Sequence, residues 1–394
     1  MILTGALSGG LGRLLSGIRV GDIMNILFVC NGLAGGGAEK LLSELLPIMK
    51  EQYKIRCDIL ILHNKNEKYI EYLQSKGISI CVVPETCKTI ICKCNYIWHY
   101  MVKGNYDLIH ANLFPAFYFC SIIRILHRKT SPKMIMTEHS TDNHRRHIKI
   151  LRPLEKIIYS SYEKNICISN KTKDNLIKWL KPGNKNHNKF IVINNGINIE
   201  KYVNAIGLER RILFPGIEDN DILICMIGSF REAKNHATLI KTMRRLPEKY
   251  KLVLAGEGPL ELKIKEMTKE FNLEKRVVFL GYRSDIDRII KTADVIVVPS
   301  KWEGFGLSAV ESMASGKPVI VSEVEGLSEI VDDGAIKFKW DSDEEFASAI
   351  LKLENNEIYE YYAGKARNRA KVFDIHIAAN EYVKIYKDII SQKE

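Results

Sequence analysis

Continuous apolar runs of four to six residues recur along this chain, and longer helix-compatible stretches separate them. Strand-like runs lie at 25–30, 58–62, 78–83, 107–110, 133–138, 165–169 and 190–194. A second series lies at 222–227, 251–255, 276–280, 294–298 and 318–322. Most are apolar throughout rather than alternating, the pattern of strands covered on both faces in a parallel sheet. Helix patterns fall between them, as at Glu39 to Lys50, His236 to Leu246 and Leu260 to Phe271. Repeated βα units predict doubly wound α/β domains. The polar stretch from Asn194 to Asp221, with Gly196, Gly207, Pro215 and Gly216, divides the two series. Two Rossmann-like domains are expected, at 24–200 and 205–372, facing each other across a cleft. A helical segment at 373–394 is expected to pack back towards the first. Ligands bind such sheets at the carboxyl ends of the strands. Residues 1–23, broken by six glycines and Arg13, read as a disordered extension, with the fold opening near Met24.

Composition narrows the class. The chain has 394 residues, 46% apolar and 27% charged, which excludes a wholly disordered polypeptide. No apolar run reaches the roughly 18 residues needed to cross a bilayer; Ala116 to Ile123 stops at Arg124. Nine scattered cysteines do not resemble a secreted disulfide framework and are expected as reduced thiols. Cys87, Cys92 and Cys94 cluster without the second ligand pair that zinc needs. Residues 1–200 hold 28 Lys and Arg against 15 Asp and Glu, a charge of +13, whereas 201–394 carry −2. One half of the chain therefore suits an anionic partner: nucleic acid, anionic lipid or a phosphorylated substrate.

The most informative segment runs from Pro299 to Val321. It reads as a strand end, a glycine loop, a helix and a new strand. Gly304 and Gly306 allow close approach of backbone to a ligand. A helix opening near Leu307 or Ser308 turns its amides towards that loop, which suits a phosphate. Glu311, expected in the first turn, can accept hydrogen bonds from a ribose diol. Glu303 can accept them from sugar hydroxyls. The competing reading makes Glu303 a solvated loop residue and Glu311 a carboxylate favoured by the helix dipole.

The Glu303-x7-Glu311 pair within E-G-F-G-L-S-A-V-E-S-M-A-S-G-K-P-V-I resembles the signature of glycosyltransferase family 4, retaining enzymes of the GT-B fold. The resemblance runs from Met24 over nearly the whole chain. Gly228-Ser-Phe-Arg-Glu-Ala-Lys-Asn-His236 resembles the segment whose Arg and Lys bind the donor diphosphate. Lys234 matches the lysine. Ser229 stands at the arginine position, and Arg231 is expected to supply the guanidinium instead. Gly35, Gly36 and Gly37 resemble the family's G-G-x-E loop; the spacing is not that of a dinucleotide fingerprint. Glu138-His139 resembles the segment whose histidine contacts the donor sugar, while His110 keeps a structural reading. Asn195-Gly196-Ile197-Asn198 resembles an interdomain motif whose usual acid is replaced by Asn198. Glu257, in Gly256-Glu-Gly-Pro259, and Arg283 resemble positions beside the nucleotide; Phe305 and Leu307 complete the donor loop.

What the resemblance implies is transfer of a sugar from a nucleotide-diphosphate sugar to a saccharide or lipid-linked saccharide acceptor, with retention. Neither metal nor cofactor is expected. His139, Arg231, Lys234 and Glu303 are the candidate catalytic residues. Gly36, Gly37, Glu257, Arg283, Gly304, Phe305, Gly306, Leu307 and Glu311 are the candidate donor-binding residues. The implied setting is bacterial surface-polysaccharide or glycolipid assembly in the cytoplasm, at the inner face of the cell membrane. Aromatic residues from Tyr96 to Phe119 and basic residues from Arg124 to Arg152 form either an acceptor-side surface on anionic lipid or a core with a solvated face. No nucleic-acid module signature is present, so nucleic acid is not expected as a partner. Two alternatives stay open: a GT-B epimerase or phosphorylase, and a non-catalytic carbohydrate- or membrane-binding protein on a degenerate fold.

Overall fold

A computed structural model describes residues 23–63 and 68–392. The expected extension at 1–23 lies outside the described residues, apart from Ile23. Two compact units divide at Asn194/Asn195 and again at Ile375/His376. The first joins the amino-terminal half to the last helix, and the second comprises 195–375.

In the first unit the elements alternate as β1 Asn25–Cys30, α1 Gly37–Tyr53, β2 Arg56–Ile61, α2 Ile70–Ser75, β3 Ser79–Val82, α3 Ile90–Gly104, β4 Leu108–Asn112 and α4 Ala116–Leu126. There follow β5 Lys133–Glu138, short 3-10 turns at 144–147 and 149–151, α5 Arg152–Ser160, β6 Lys164–Cys167, α6 Asn170–Leu180 and β7 Phe190–Val192. The strands form one parallel sheet in the order β3-β2-β1-β4-β5-β6-β7. Burial of β4 and β5 on both faces explains their unbroken apolar runs. Phe117 and Phe119 lie in this core, and Tyr96, Trp98, Tyr100 and Tyr118 pack against it. Those aromatic rings build the core rather than an outer surface.

The second unit contains α7 Ile199–Val203, α8 Arg210–Leu213, β8 Ile222–Ile227, α9 His236–Met243, β9 Tyr250–Ala255, α10 Glu261–Glu270, β10 Val277–Gly281 and α11 Ile286–Thr292. It continues with β11 Val295–Val298, α12 Leu307–Ala314, β12 Val319–Ser322, α13 Leu327–Val331, β13 Ile336–Phe338, α14 Asp343–Leu351 and α15 Asn356–Ala370. Its parallel sheet has the order β10-β9-β8-β11-β12-β13. Thr89, Ser169, Asn198, Ser342 and Asn355 each accept an amide hydrogen bond at the start of a helix. Asn198 thus has a local role as the cap of α7. The last helix, α16 Ile375–Ser391, packs in the first unit: Tyr386 hydrogen-bonds His110 at 2.8 Å and Lys133 Nζ donates to the Ile389 carbonyl at 3.0 Å.

The cysteines depart from expectation at one place. Cys87 and Cys92 form a disulfide rather than two thiols, because the turn into α3 brings their Cα atoms to 5.2 Å. Cys94 stays a buried thiol, as do Cys30 and Cys225. Among the described residues no helix is long and apolar enough to cross a membrane.

Candidate active site

In each sheet the chain reverses its direction of winding at one gap, and there the loops at the carboxyl ends part. In the second unit the gap lies between β8 and β11. The carboxyl ends of β8, β9 and β10 are tied together just beyond the strands: Gly228 N donates to the Ala255 carbonyl, Phe230 N to that of Glu257 and Gly256 N to that of Gly281. Side chains have no room in this weave. A Cβ on Gly256 would lie 2.1 Å from the Gly228 carbonyl oxygen. The loop after β8 meets the loop after β11 through a bond from Lys301 N to the Ala233 carbonyl at 2.8 Å.

This convergence joins two of the expected residues. Lys234 Nζ donates to Glu303 Oε1 at 2.5 Å, and Ser300 Oγ donates to the same oxygen at 2.8 Å. The lysine stem passes over Gly228, which leaves it space. Arg231 stands exposed at the start of the 3-10 turn Glu232–Lys234. Behind the turn, His236 stacks on Phe230 with centroids 4.1 Å apart, and burial pushes its pKa down to about 4.

Helix α12 opens at Leu307 behind Gly306, whose φ of +85° suits glycine. Glu311 is buried but is the fifth residue of the helix. The expectation of a first-turn carboxylate is therefore corrected: at 3.6 residues per turn a helix starting at Leu307 puts Glu311 in its second turn. The Ser308 hydroxyl, at the second position, is buried and has no hydrogen-bond partner among the described residues. The Phe305 side chain is buried edge-on against Phe373 at 5.4 Å, so only its backbone remains for a ligand. Gly304 lies in the same loop. Glu257 is exposed at the end of β9. The Arg283 guanidinium is held by Asp285 through two bonds of 2.6 and 2.8 Å.

In the first unit the gap lies between β1 and β4. Gly36 caps α1, and its amide donates to the Glu39 carboxylate; Gly37 is the first helical residue. Glu39 thus occupies one of the glycine-loop amides. His139 follows β5, and its Nε2 bonds Asn112 Oδ1 at 3.0 Å. Because Asn112 Oδ1 is an acceptor, Nε2 carries the proton and Nδ1 a lone pair. Nδ1 is buried without a hydrogen-bond partner among the described residues, and burial pushes the His139 pKa down to about 4. A neutral ring with an open acceptor suits a hydroxyl group. His110 has both ring nitrogens engaged, by Tyr386 and Thr137.

Sequence reasoning passed over several groups beside these. Glu138 receives bonds from Tyr159 Oη at 2.5 Å and Ser140 N at 3.0 Å, with Arg146 at 3.1 Å. The side chains of Ser300, Ser308 and Asn112 were passed over too. Their residue types carry no signal of their own: Asn112 meets His139 from another strand, Ser300 meets Glu303 within one loop, and Ser308 stands out only by its burial.

Two Rossmann-like units of seven and six parallel strands define a protein of the GT-B class. Residues 211–371 match the family described as glycosyl transferases group 1, and residues 35–201 match Glycosyltransferase Family 4. The matches take in most of both sheets, and the chain belongs to the group 1, family 4 glycosyltransferases. It is 27% identical over 378 residues, 89% of this chain and 92% of the other, to the UDP-Gal:alpha-D-GlcNAc-diphosphoundecaprenol alpha-1,3-galactosyltransferase of Escherichia coli. It is 24% identical over 366 residues, 87% of this chain and 93% of the other, to a Campylobacter jejuni N-acetylgalactosaminyltransferase named for a diphospho-undecaprenol-linked acceptor. The fold matches the crystal structure of Anabaena Alr3699/HepE in complex with UDP and glucose, with a TM-score of 0.79, 20% identity and coverage of 93% of this chain and 100% of that one.

Proposed function

We propose that this transferase moves a sugar from a nucleotide-diphosphate sugar to a hydroxyl of a lipid-linked saccharide, with retention of configuration and without a metal. The Lys234–Glu303 pair at the gap between β8 and β11 carries the reading. In this reading the donor diphosphate takes Lys234 from Glu303, and the freed carboxylate, steadied by Ser300, accepts hydrogen bonds from the sugar. The ammonium then faces the charge that grows on the diphosphate as its bond to the sugar breaks. Arg231 adds a second cation. The start of α12 and the unpartnered Ser308 hydroxyl support a phosphate or ribose oxygen there. Glu311 takes the ribose, and Glu257 and Arg283 flank the nucleotide. His139 accepts a sugar hydroxyl through Nδ1.

The acceptor oxygen bonds to the anomeric carbon on the face from which the phosphate leaves. The carbon–phosphate oxygen bond breaks, and the departing phosphate takes the acceptor's proton. No protein base is needed. The lipid-linked acceptor follows the two relatives just described, and such an acceptor sets the work at an anionic membrane surface. The test is turnover of radiolabelled UDP-, GDP-, ADP- and TDP-sugars on lipid-diphosphate saccharides, with chelator present. Lys234→Ala is expected to lower turnover by about a hundredfold or more, the scale of losing one charge-stabilising donor. Wild-type turnover in that variant would remove the site assignment, and loss of turnover on chelation would remove the metal-free mechanism.

A further inference from the structure

Helix α5 buries a carboxylate beside Ile158 and Tyr159: Glu155 is at 0% exposure, while Leu154 and Ile157 stand 47% and 55% exposed. Ile150, just ahead of the helix, is 84% exposed. Spaced at i, i+4 and i+7, these three line one face. The helix cannot roll to hide them. Glu155 Oε1 receives Tyr118 Oη at 2.7 Å and Arg145 Nε at 2.9 Å, and its Oε2 receives Trp179 Nε1 at 2.6 Å. Three directional bonds from α4, the preceding 3-10 turn and α6 fix the rotation.

The charge around this stripe has one sign. Of the five Lys and Arg at 143–160, Arg145 and Arg146 are taken up by Glu155 and Glu138, which leaves Lys149, Arg152 and Lys156 beside the stripe. Asp142, just before the segment, pairs with His147. Beside the carboxyl end of α5, a cavity of about 240 Å³ lined by Lys156, Ile157, Lys181 and Lys189 repeats the pairing of apolar and cationic groups. The face follows His139 by ten residues, beyond the 3-10 turn at 144–147.

We infer that the outward face of α5, with Ile150, Leu154 and Ile157 between Lys149, Arg152 and Lys156, docks on an anionic lipid surface. An apolar stripe flanked by lysine and arginine lies in the headgroup boundary with its charges in the phosphate layer. Nucleic acid would use the cations and leave the stripe in water. A symmetric second copy would set Lys149, Arg152 and Lys156 against themselves. The inference deepens the reading of a lipid-linked acceptor and rests on it.

Flotation of the full chain with phosphatidylcholine vesicles, with and without phosphatidylglycerol, tests it. Wild type is expected to float with the anionic vesicles alone. The triple variant Ile150→Ser, Leu154→Ser, Ile157→Ser is expected to stay in solution, with its melting temperature kept because all three residues are exposed. Lys149→Ala with Lys156→Ala is expected to weaken binding on the order of thirtyfold. Leu262→Ser, in the second unit and 74% exposed, is expected to bind as wild type. Failure of wild type to float with either vesicle overturns the inference, as does flotation of the triple serine variant. A dimer in sedimentation that this variant abolishes, without vesicle binding, also overturns it. Thermal shifts with UDP-, GDP-, ADP- and TDP-sugars, run in parallel, separate the two readings. A shift without flotation leaves the transferase and removes the face; flotation without a shift keeps the face and removes the donor.

Discussion

Three buried histidines make the molecule acid-sensitive one residue at a time. Burial pushes His110 down to about 3, and His139 and His236 to about 4, each from an ordinary value near 6.5. All three are neutral in the folded chain above those values. The unfolded chain takes up its protons first as pH falls, so stability is intact above about pH 6.5 and is lost progressively towards pH 4. Each unit of depression corresponds to about 1.4 kcal/mol. Urea midpoints across this range are expected to fall steeply with acid, and His139→Gln to flatten the slope by up to one proton. A flat profile for the wild type would contradict the burial argument. Lys234, Glu303 and His139 could be singled out in the sequence because the segments that hold them resemble the family's motifs. Asn112, Ser300 and Ser308 could not be, since only the folded chain shows which carboxylate or ring a common polar side chain meets, or that it is buried without a partner.

The loop between β11 and α12 depends on one residue for its shape. Gly306 has φ +85°, and a Cβ there would lie 2.6 Å from Leu327 Cδ1 on α13. Gly306→Ala is expected to cost about 1–2 kcal/mol for the left-handed backbone alone. The start of α12 would shift with it, so the donor KM is expected to rise by about tenfold, measured by initial rates beside a thermal melt. An unchanged KM would detach the helix start from donor binding. Most elements could be read from apolar runs and glycine punctuation. Strand β13 escaped because it has only three residues and alternates buried, exposed, buried. The orientation of α5 escaped because Leu154, Ile157 and Ile158 make both of its sides look apolar. The three bonds on Glu155, with Ile158 and Tyr159 in the core, decide which side faces inward.

Across the whole molecule the chain passes between units twice, and the two passages are stitched together within the second unit. Ile197 N donates to the Phe373 carbonyl and Ile375 N to the Ile197 carbonyl, both at 2.9 Å. Gly196 backs onto Ile375 Cα so closely that a Cβ would sit 2.6 Å away. Beyond this stitch α16 completes the first unit's core, burying Tyr382, Tyr386 and Ile389. Each such side chain contributes about 1.5–3 kcal/mol by burial, so the three together approach the whole stability of a domain, about 5–15 kcal/mol. Losing the helix would also leave buried His110 without Tyr386. A chain truncated after Ile375 is therefore expected to keep the fold of 195–375 and to lose that of the first unit. Limited proteolysis should then degrade residues before 195 while sparing the rest, and whichever nucleotide-sugar gives the whole chain a thermal shift should still give one, because Lys234, Glu303 and α12 all belong to the second unit. Protection of the amino-terminal half in the truncated chain would show that its sheet closes without the last helix.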